Sequence, residues 1–496
     1  MSWVSVQDFS YTYPGQETPA LKDVNLSIEQ GDFVVIAGTS GSGKSTLGKA
    51  LAGFLFQDEE PQYAGSIMVN NVDMTNVPLF YASQRVAYAQ QNPEDQFCTL
   101  SVVDEIAFAL ENLCLDPSEI EQRIEQALGI VKGLNLKDRL LATLSGGEKQ
   151  KIAIASMLAI SPDVLVLDEP TSNLDPGATQ HVFDTLHALR KHKDLTVIII
   201  EHKLTQLLGI NPKIFVVDAG KITTEMRLSE YLPKTAFSKE ISQKISNQSE
   251  QAFLEASQLD VGINGHKILH NINFSIYPGE FIALMGPNGS GKSTLLQTLM
   301  GFHAPSQGKL QGFNRDLTKE KTSSLIKEIG FIFQNPDHQI FTQSVIDEAA
   351  LTIKNLGLMN DQALDKVNKY LQMIGLYPRV EDHPQRLSFG EKRRLNLVAV
   401  ILHDPKLLLI DEFLIGQDMR NAHQWMQWLK DYASKGHTIL MANHHAQLTQ
   451  FYCDRVIFID SGSIVVDASV SSAFTRLEVL GYHPFLPHNQ EVLTYA

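Results

Sequence analysis

Two stretches, GTSGSGKST from Gly38 to Thr46 and GPNGSGKST from Gly286 to Thr294, share the pattern G-x-x-x-x-G-K-[ST]. Glycines at these places let the backbone wrap a phosphate chain with its N–H groups inward, and a following helix adds its positive end. The pattern assigns phosphate contacts to Gly38, Ser40, Gly41, Ser42, Gly43, Lys44, Ser45 and Thr46. The second copy offers Gly286, Asn288, Gly289, Ser290, Gly291, Lys292, Ser293 and Thr294. Lys44 and Lys292 would reach the outer phosphates, and the hydroxyls of Ser45 and Ser293 would ligate Mg2+. Two acid pairs, Asp168–Glu169 and Asp411–Glu412, close the apolar runs VLVLDE and LLLIDE. An aspartate there can hold the metal through water, and a second carboxylate can polarise an attacking water. His202 and His444 close the next apolar runs. A neutral imidazole at that place could bond the outermost phosphate or orient the water. His445 directly follows His444, and the register of IIIEHK with LMANHH favours His444.

These residues need strands that end together. VVIAG and IALMG are apolar runs ending in glycine, which read as buried strands entering a loop. DVLVLDE, TVIIIEH, KLLLIDE and TILMANH are short continuous apolar runs, as expected of parallel strands covered on both faces. EIEQRIEQALGIVKGL and QALDKVNKYLQMIGL carry helical spacing. The motifs recur in one order. An identical interval separates Gln91 from Gln334, Ser145 from Ser388 and Asp168 from Asp411. A duplicated α/β domain follows. The expected layout is a first domain over 1–224, a polar linker over 225–254 and a second domain over 255–496.

The 496 residues, 43% of them hydrophobic, suffice for two or three packed domains. A net charge of -15 argues against nonspecific nucleic-acid binding, which needs a basic footprint. Cys98, Cys114 and Cys453 form no CxxC pair and read as unpaired thiols of a reducing compartment. No apolar run approaches the ~18 residues of a membrane span. The start, MSWVSVQDFSYTY, lacks the regions of a signal peptide. The chain is expected to cross no membrane by itself.

The full motif set resembles the ATP-binding-cassette family over both halves. In its terms the order is Walker A, Q-loop (Gln91, Gln334), signature (LSGGE, LSFGE), Walker B with its glutamate, D-loop (Asp175, Asp418) and switch histidine. QNPEDQ and QNPDHQ resemble the ATPases of energy-coupling-factor importers, which take up vitamins and transition-metal ions. The two-cassette layout is also similar to the ATPase assigned to uptake of the thiamine precursor hydroxymethylpyrimidine. The resemblance implies ATP and Mg2+ as ligands and an ATPase as the activity. It implies two tandem P-loop ATPase domains, each with a mainly parallel core sheet, an antiparallel β subdomain and a helical signature subdomain. It implies separate membrane subunits, a scaffold and a substrate-binding component, and a peripheral place on the cytoplasmic side of the cell membrane.

In the family, two cassettes pair head to tail, so each ATP lies between one Walker A and the other signature. Ser145, Gly146 and Gly147 would then complete the site of Lys292, Gln334, Asp411, Glu412 and His444. Ser388, Phe389 and Gly390 would complete the site of Lys44, Gln91, Asp168, Glu169 and His202. Gln91 and Gln334 join the metal ligands Ser45, Asp168, Ser293 and Asp411 on the same ground. Tyr13 fits the family's adenine-stacking aromatic, and Ile263 stands at the equivalent place. Phe389 is expected to lose a glycine's freedom at positive φ and still leave a working site. The stretches after the Q-loops, with Asp95 and Asp337, would meet the membrane partner or stay solvated. A cytosolic tandem cassette acting on ribosomes or DNA is the alternative, with an exporter motor nearer at hand. Ribosome-acting relatives carry a long basic linker, whereas residues 225–255 hold Glu225, Glu230, Glu240, Glu250 and Glu255 against Arg227, Lys234, Lys239 and Lys244.

Overall fold

The structure, a computed structural model, describes residues 2–39, 41–57, 61–172, 174–189, 195–201, 204–207, 209–231, 251–414 and 419–487. Ser40, His202, Asp418 and most of the expected linker lie outside the described residues. The described residues fall into two compact units, one over 2–231 and one over 251–487.

The first unit contains β1 (Val4–Thr12), β2 (Leu21–Ile28), β3 (Phe33–Ala37), β4 (Gln62–Val69) and β5 (Val72–Asp73). β6 (Val86–Ala89), β7 (Val164–Asp168), β8 (Thr196–Ile200), β9 (Lys213–Asp218) and β10 (Lys221–Arg227) follow. An antiparallel sheet runs β2-β1-β4-β5, and a six-stranded sheet runs β10-β9-β3-β8-β7-β6. The last five of that order are parallel, and β10 is an antiparallel edge.

The parallel strands are apolar throughout because both faces are covered. Side chains alternate along a strand. Val34 and Ile36 of β3 join Val166, Ile198 and Phe215 in a core shared with the antiparallel sheet. Val35 and Ala37 join Leu165, Leu167 and Ile199 in a second core shared with the helices. Those helices include Val102–Asn112, Pro117–Ile130, Gly146–Ala159 and Pro176–Leu189.

The second unit repeats the plan. Its strands begin with β11 (Leu254–Ile263), β12 (His266–Ile276), β13 (Phe281–Met285), β14 (Gln307–Gly312) and β15 (Arg315–Asp316). β16 (Ile329–Ile332), β17 (Leu407–Asp411), β18 (Thr438–Ala442), β19 (Arg455–Asp460) and β20 (Ser463–Ser469) complete them. The orders are β12-β11-β14-β15, as in the first unit, and β16-β17-β18-β13-β19-β20, the first unit's order read from the other edge. Parallel pairing brings Asp168 beside Ile200 and Asp411 beside Ala442, so each acid pair leaves the sheet where the neighbouring parallel strand also ends, and His444 follows β18 there.

Candidate functional site

Each phosphate loop leaves the central strand through a glycine that admits no side chain. Gly38 and Gly286 both stand at φ 146°, and a Cβ there would lie 2.0 Å from the carbonyl oxygens of Val217 and Ile459. The helices Lys44–Leu51 and Lys292–Leu299 start behind Gly43 (φ 107°) and Gly291 (φ 105°). Their first-turn N–H groups have no partner inside the helix and suit an anion. Gly41 and Gly289 turn the loop at φ 79° and 75°. The Lys44 ammonium donates to the Gly38 and Thr39 carbonyls at 3.0 and 2.7 Å. Lys292 does the same to Gly286 and Pro287 at 2.9 and 2.8 Å. The buried hydroxyls of Ser42 and Ser290 have no partner among the described residues, in the same place in both loops. An unpaired buried donor is costly, and a phosphate oxygen would satisfy it. Thr46 and Thr294 follow in the first helical turns.

Strand ends bring the acids to these loops. The Ser45 hydroxyl donates to Asp168 Oδ1 at 3.1 Å, and Ser293 to Asp411 Oδ1 at 3.1 Å. A hydroxyl beside a carboxylate is the hard-oxygen donor set that suits Mg2+. Burial pushes the Asp411 carboxyl up to about 6, with Ser293 and Lys292 pulling it back. Asp168 is raised as well, by burial against the hydrogen bonds of Tyr88 and Ser45. A nearby cation would lower both.

Glu169 and Glu412 leave the strands at φ 47° and 50°, in the left-handed region that non-glycine residues rarely occupy. Such backbone strain clusters at functional sites. Gln91 Nε2 donates to Glu169 Oε2 at 3.1 Å, and Gln334 Nε2 to Glu412 Oε2 at 2.6 Å. His444 Nε2 lies 2.7 Å from the other oxygen, Glu412 Oε1. Burial raises the Glu412 carboxyl, but His444, Lys292 and Gln334 together hold it below its ordinary value. His445 instead precedes the next helix, Ala446–Tyr452.

Each signature turn is a capping box. Ser145 Oγ accepts from the Glu148 N–H at 3.4 Å, and Glu148 Oε2 accepts from the Ser145 N–H at 2.8 Å. Ser388 and Glu391 repeat this at 3.3 and 2.8 Å. The cost expected at Phe389 does not arise. Gly146 and Phe389 are both first residues of helices, Gly146–Ala159 and Phe389–Ile401, and neither has positive φ. Gly147 and Gly390 follow them. At Gly147 a Cβ would come within 2.8 Å of the Ala178 Cβ.

Two arrangements escape a reading of the sequence, and a third was missed although its signal stands there. Tyr88 donates to Asp168 Oδ2 at 2.5 Å, and cassette 2 has Phe331 at that place. Arg393 reaches the carbonyl oxygens of Glu412 and Gln334. The partner of Asp337 lies within its own unit, since Lys392 donates to it at 2.7 Å. Its counterpart is Glu94, bonded to Lys149, whereas Asp95 accepts from Asn92 at 2.9 Å. The signal for Glu94 and Asp337 was present in the sequence: each follows N-P, and each has a lysine four residues after its signature serine.

Fold and loop geometry define each unit as a P-loop nucleotide-binding domain of the cassette type. The family model described as ABC transporter matches residues 21–172 and 269–414. The chain belongs to the ABC transporter family. A Methanosarcina mazei protein named "Putative ABC transporter ATP-binding protein" is 34% identical, over 98% of this chain and 92% of its own. A Bacillus subtilis protein named "Putative HMP/thiamine import ATP-binding protein YkoD" is 32% identical, over 95% and 92%. The archaeal ribosome recycling factor aABCE1, solved with the ribosomal stalk protein aP1, matches with TM-score 0.65 over 95% of this chain and 92% of that one. At 19% identity that likeness speaks for the fold alone. The chain is the ATP-binding subunit of an ABC transporter, an ATPase whose hydrolysis is coupled to transport. ABC ATPases pair with membrane transporter subunits. Among the described residues no helix is long and apolar enough to cross a membrane.

Proposed function

We propose that this chain is the fused two-cassette motor of an energy-coupling-factor importer, driving uptake of a vitamin, a vitamin precursor or a metal ion. The supporting observation is its likeness to the thiamine-precursor import protein over 95% of its length. The Q-N-P stretches Gln91–Gln96 and Gln334–Gln339 add to it. A membrane scaffold and a small substrate-binding membrane protein complete the importer, and this chain sits beneath them on the cytoplasmic side.

The two cassettes pair head to tail, and each signature turn completes the other cassette's ATP site. Fusion raises the effective concentration of the partner cassette. Lys44 and Lys292 turn from the loop carbonyls to the outer phosphates. The Ser145 and Ser388 hydroxyls and the helix N-termini behind them meet the γ-phosphate from the opposite side. Ser45, Asp168 and Gln91 in one site, and Ser293, Asp411 and Gln334 in the other, would hold Mg2+, which would supply neutralisation of phosphate charge. Glu169 and Glu412 take the proton of the water that attacks γ-phosphorus. The bond to the β–γ bridging oxygen breaks, leaving ADP and phosphate. Gln334 and His444 hold both oxygens of Glu412, so the base is oriented before substrate arrives. In cassette 1, Gln91 holds one oxygen of Glu169, and the switch role falls to His202. ATP closes the pair and hydrolysis reopens it.

Turnover of the assembled transporter tests the catalytic part. Glu169→Gln and Glu412→Gln should each lower it by about 100-fold or more at the site concerned. A chain that hydrolyses ATP at the wild-type rate with both substitutions would remove the glutamates from the mechanism. Uptake tests the direction. Deleting the gene should abolish accumulation of one labelled vitamin, precursor or metal ion. Increased accumulation would mean export, and sedimentation with ribosomes instead of membranes would end the transporter reading.

A further inference from the structure

The two cassettes differ at two positions four residues apart on the signature helix. Phe389 stands where cassette 1 has Gly146, and Arg393 stands where it has Gln150. Side chains at i and i+4 meet on one helix face. The guanidinium carbon of Arg393 lies 4.7 Å from the centroid of the Phe389 ring. A ring face attracts a cation, more strongly where water is excluded. Arg393 is 2% exposed, and Phe389, at 46%, covers it from outside.

The inner side of the same guanidinium is also engaged. Nη1 donates to the backbone carbonyl of Glu412, and Nη2 donates to the backbone carbonyl of Gln334 at 2.7 Å. One planar fork therefore ties the Walker glutamate and the Q-loop glutamine to the signature helix. Burial lowers the Arg393 pKa to about 10, opposed by Glu412 and Asp411, so the group stays charged near neutral pH. Among the described residues, cassette 1 has no such bridge from Gln150. That side chain is 1% exposed and its Nε2 has no partner among the described residues.

We propose that Arg393 is a positioning residue that carries the placement of Gln334 and Glu412 along its helix to the signature turn, with Phe389 as the outer half of the same unit. The phenylalanine is then matched to the arginine and is no decayed glycine. The inference rests on the reading above, in which Ser388 and Gly390 complete the ATP site of Glu169. Under that reading, a side chain fastened to one site's base controls turnover at the other.

The test uses the purified full chain carrying Glu412→Gln, whose remaining hydrolysis reports the site of Glu169. In that background Arg393→Lys keeps the charge but loses the planar fork that spans the two carbonyls and faces the ring, and Phe389→Gly removes the ring. Each should lower kcat about fivefold, with KM for ATP held within about twofold. The double variant Phe389→Gly/Arg393→Gln installs cassette 1's own pair and should be no slower than either single variant. An unchanged kcat in Arg393→Lys overturns the proposal, as do losses that multiply in the double variant. If Arg393→Lys fails to fold by near-UV circular dichroism, the double variant and Phe389→Gly decide: a double variant no slower than Phe389→Gly supports the proposal and a slower one overturns it. Ser388→Ala in the same background separates the two levels. Retained turnover there removes the shared-site reading itself. Lost turnover beside an indifferent Arg393→Lys removes only the role given to Arg393.

Discussion

Asp168 and Asp411 occupy equivalent strand ends, yet among the described residues only Asp168 receives a phenol. Tyr88 and Asp168 are 7% and 6% exposed, and the hydrogen bond between them is short at 2.5 Å. Burial drives the Tyr88 pKa far upward, and Asp168 adds to it, so the phenol stays protonated and donates. Tyr88→Phe leaves a buried carboxylate oxygen without that donor. It should destabilise cassette 1 by about 1–3 kcal/mol, read as a lower urea midpoint with unchanged slope. An unshifted midpoint would mean that water replaces the phenol at no cost. The sequence displays Tyr88 three residues before Gln91 and Phe331 three before Gln334. It does not display the pairing of β6 with β7, which puts Tyr88 beside Val166 and so near Asp168. Spacing therefore singled out Lys44, Ser45, Asp168 and Glu169 as candidates, because each belongs to a motif of neighbouring residues. Tyr88 and Arg393 act across the sheet and stayed hidden. Phe413 belongs with them. It replaces Pro170 and is buried at 1%, edge-on to Trp425 at 5.7 Å, so the altered DEFL stretch has its own packing partner.

The signature turns show how local chemistry sets an element. Ser–x–x–Glu before an apolar run is a helix-start signal visible in both copies, and both helices begin there. Arg139 and Arg379 then fasten the capping glutamates Glu148 and Glu391 at 3.1 and 3.2 Å. The consequence is a pH dependence with a defined sign. Burial raises the Glu391 carboxyl, but the Ser388 bonds and Arg379 bring it below its ordinary 4.5. A group depressed in the folded state stabilises fully above its unfolded value, and that contribution is lost as pH falls through the folded value. The melting temperature should therefore drop more steeply below pH 4.5 in the wild type than in Glu391→Gln, which is already lower at pH 7. Parallel profiles for the two proteins would show that the box contributes nothing. The strands were legible for a related reason. Continuous apolar runs such as VLVLD and TILMA require cover on both faces, and the alternation of Val34 and Ile36 against Val35 and Ala37 supplies it from two separate cores.

At the scale of the whole chain, the motif order displays both the duplication and the unequal residues of the two copies, and the structure adds what those residues pack against. The proposed adenine contact is the case with the largest expected effect. Tyr13 follows β1, stands edge-on to Tyr11 at 5.1 Å and bonds the Thr46 hydroxyl of the phosphate helix at 3.2 Å. Its ring is thus fixed beside the loop by packing on one side and a hydrogen bond on the other. Cassette 2 ends β11 at Ile263, which has no ring to offer. Stacking of a base on an aromatic contributes about 1–3 kcal/mol, a gap of about 5- to 150-fold in dissociation constant. Calorimetric titration of the Glu169→Gln/Glu412→Gln chain with MgATP should therefore resolve a tight and a weak site. Tyr13→Ala should merge them into one weak class, and Ile263→Tyr should tighten the weaker site toward the stronger. Two sites that start equal, or that stay unequal in Tyr13→Ala, would shift the asymmetry of this motor away from adenine. The Phe389–Arg393 pair and the Tyr88 contact would then be left to account for it.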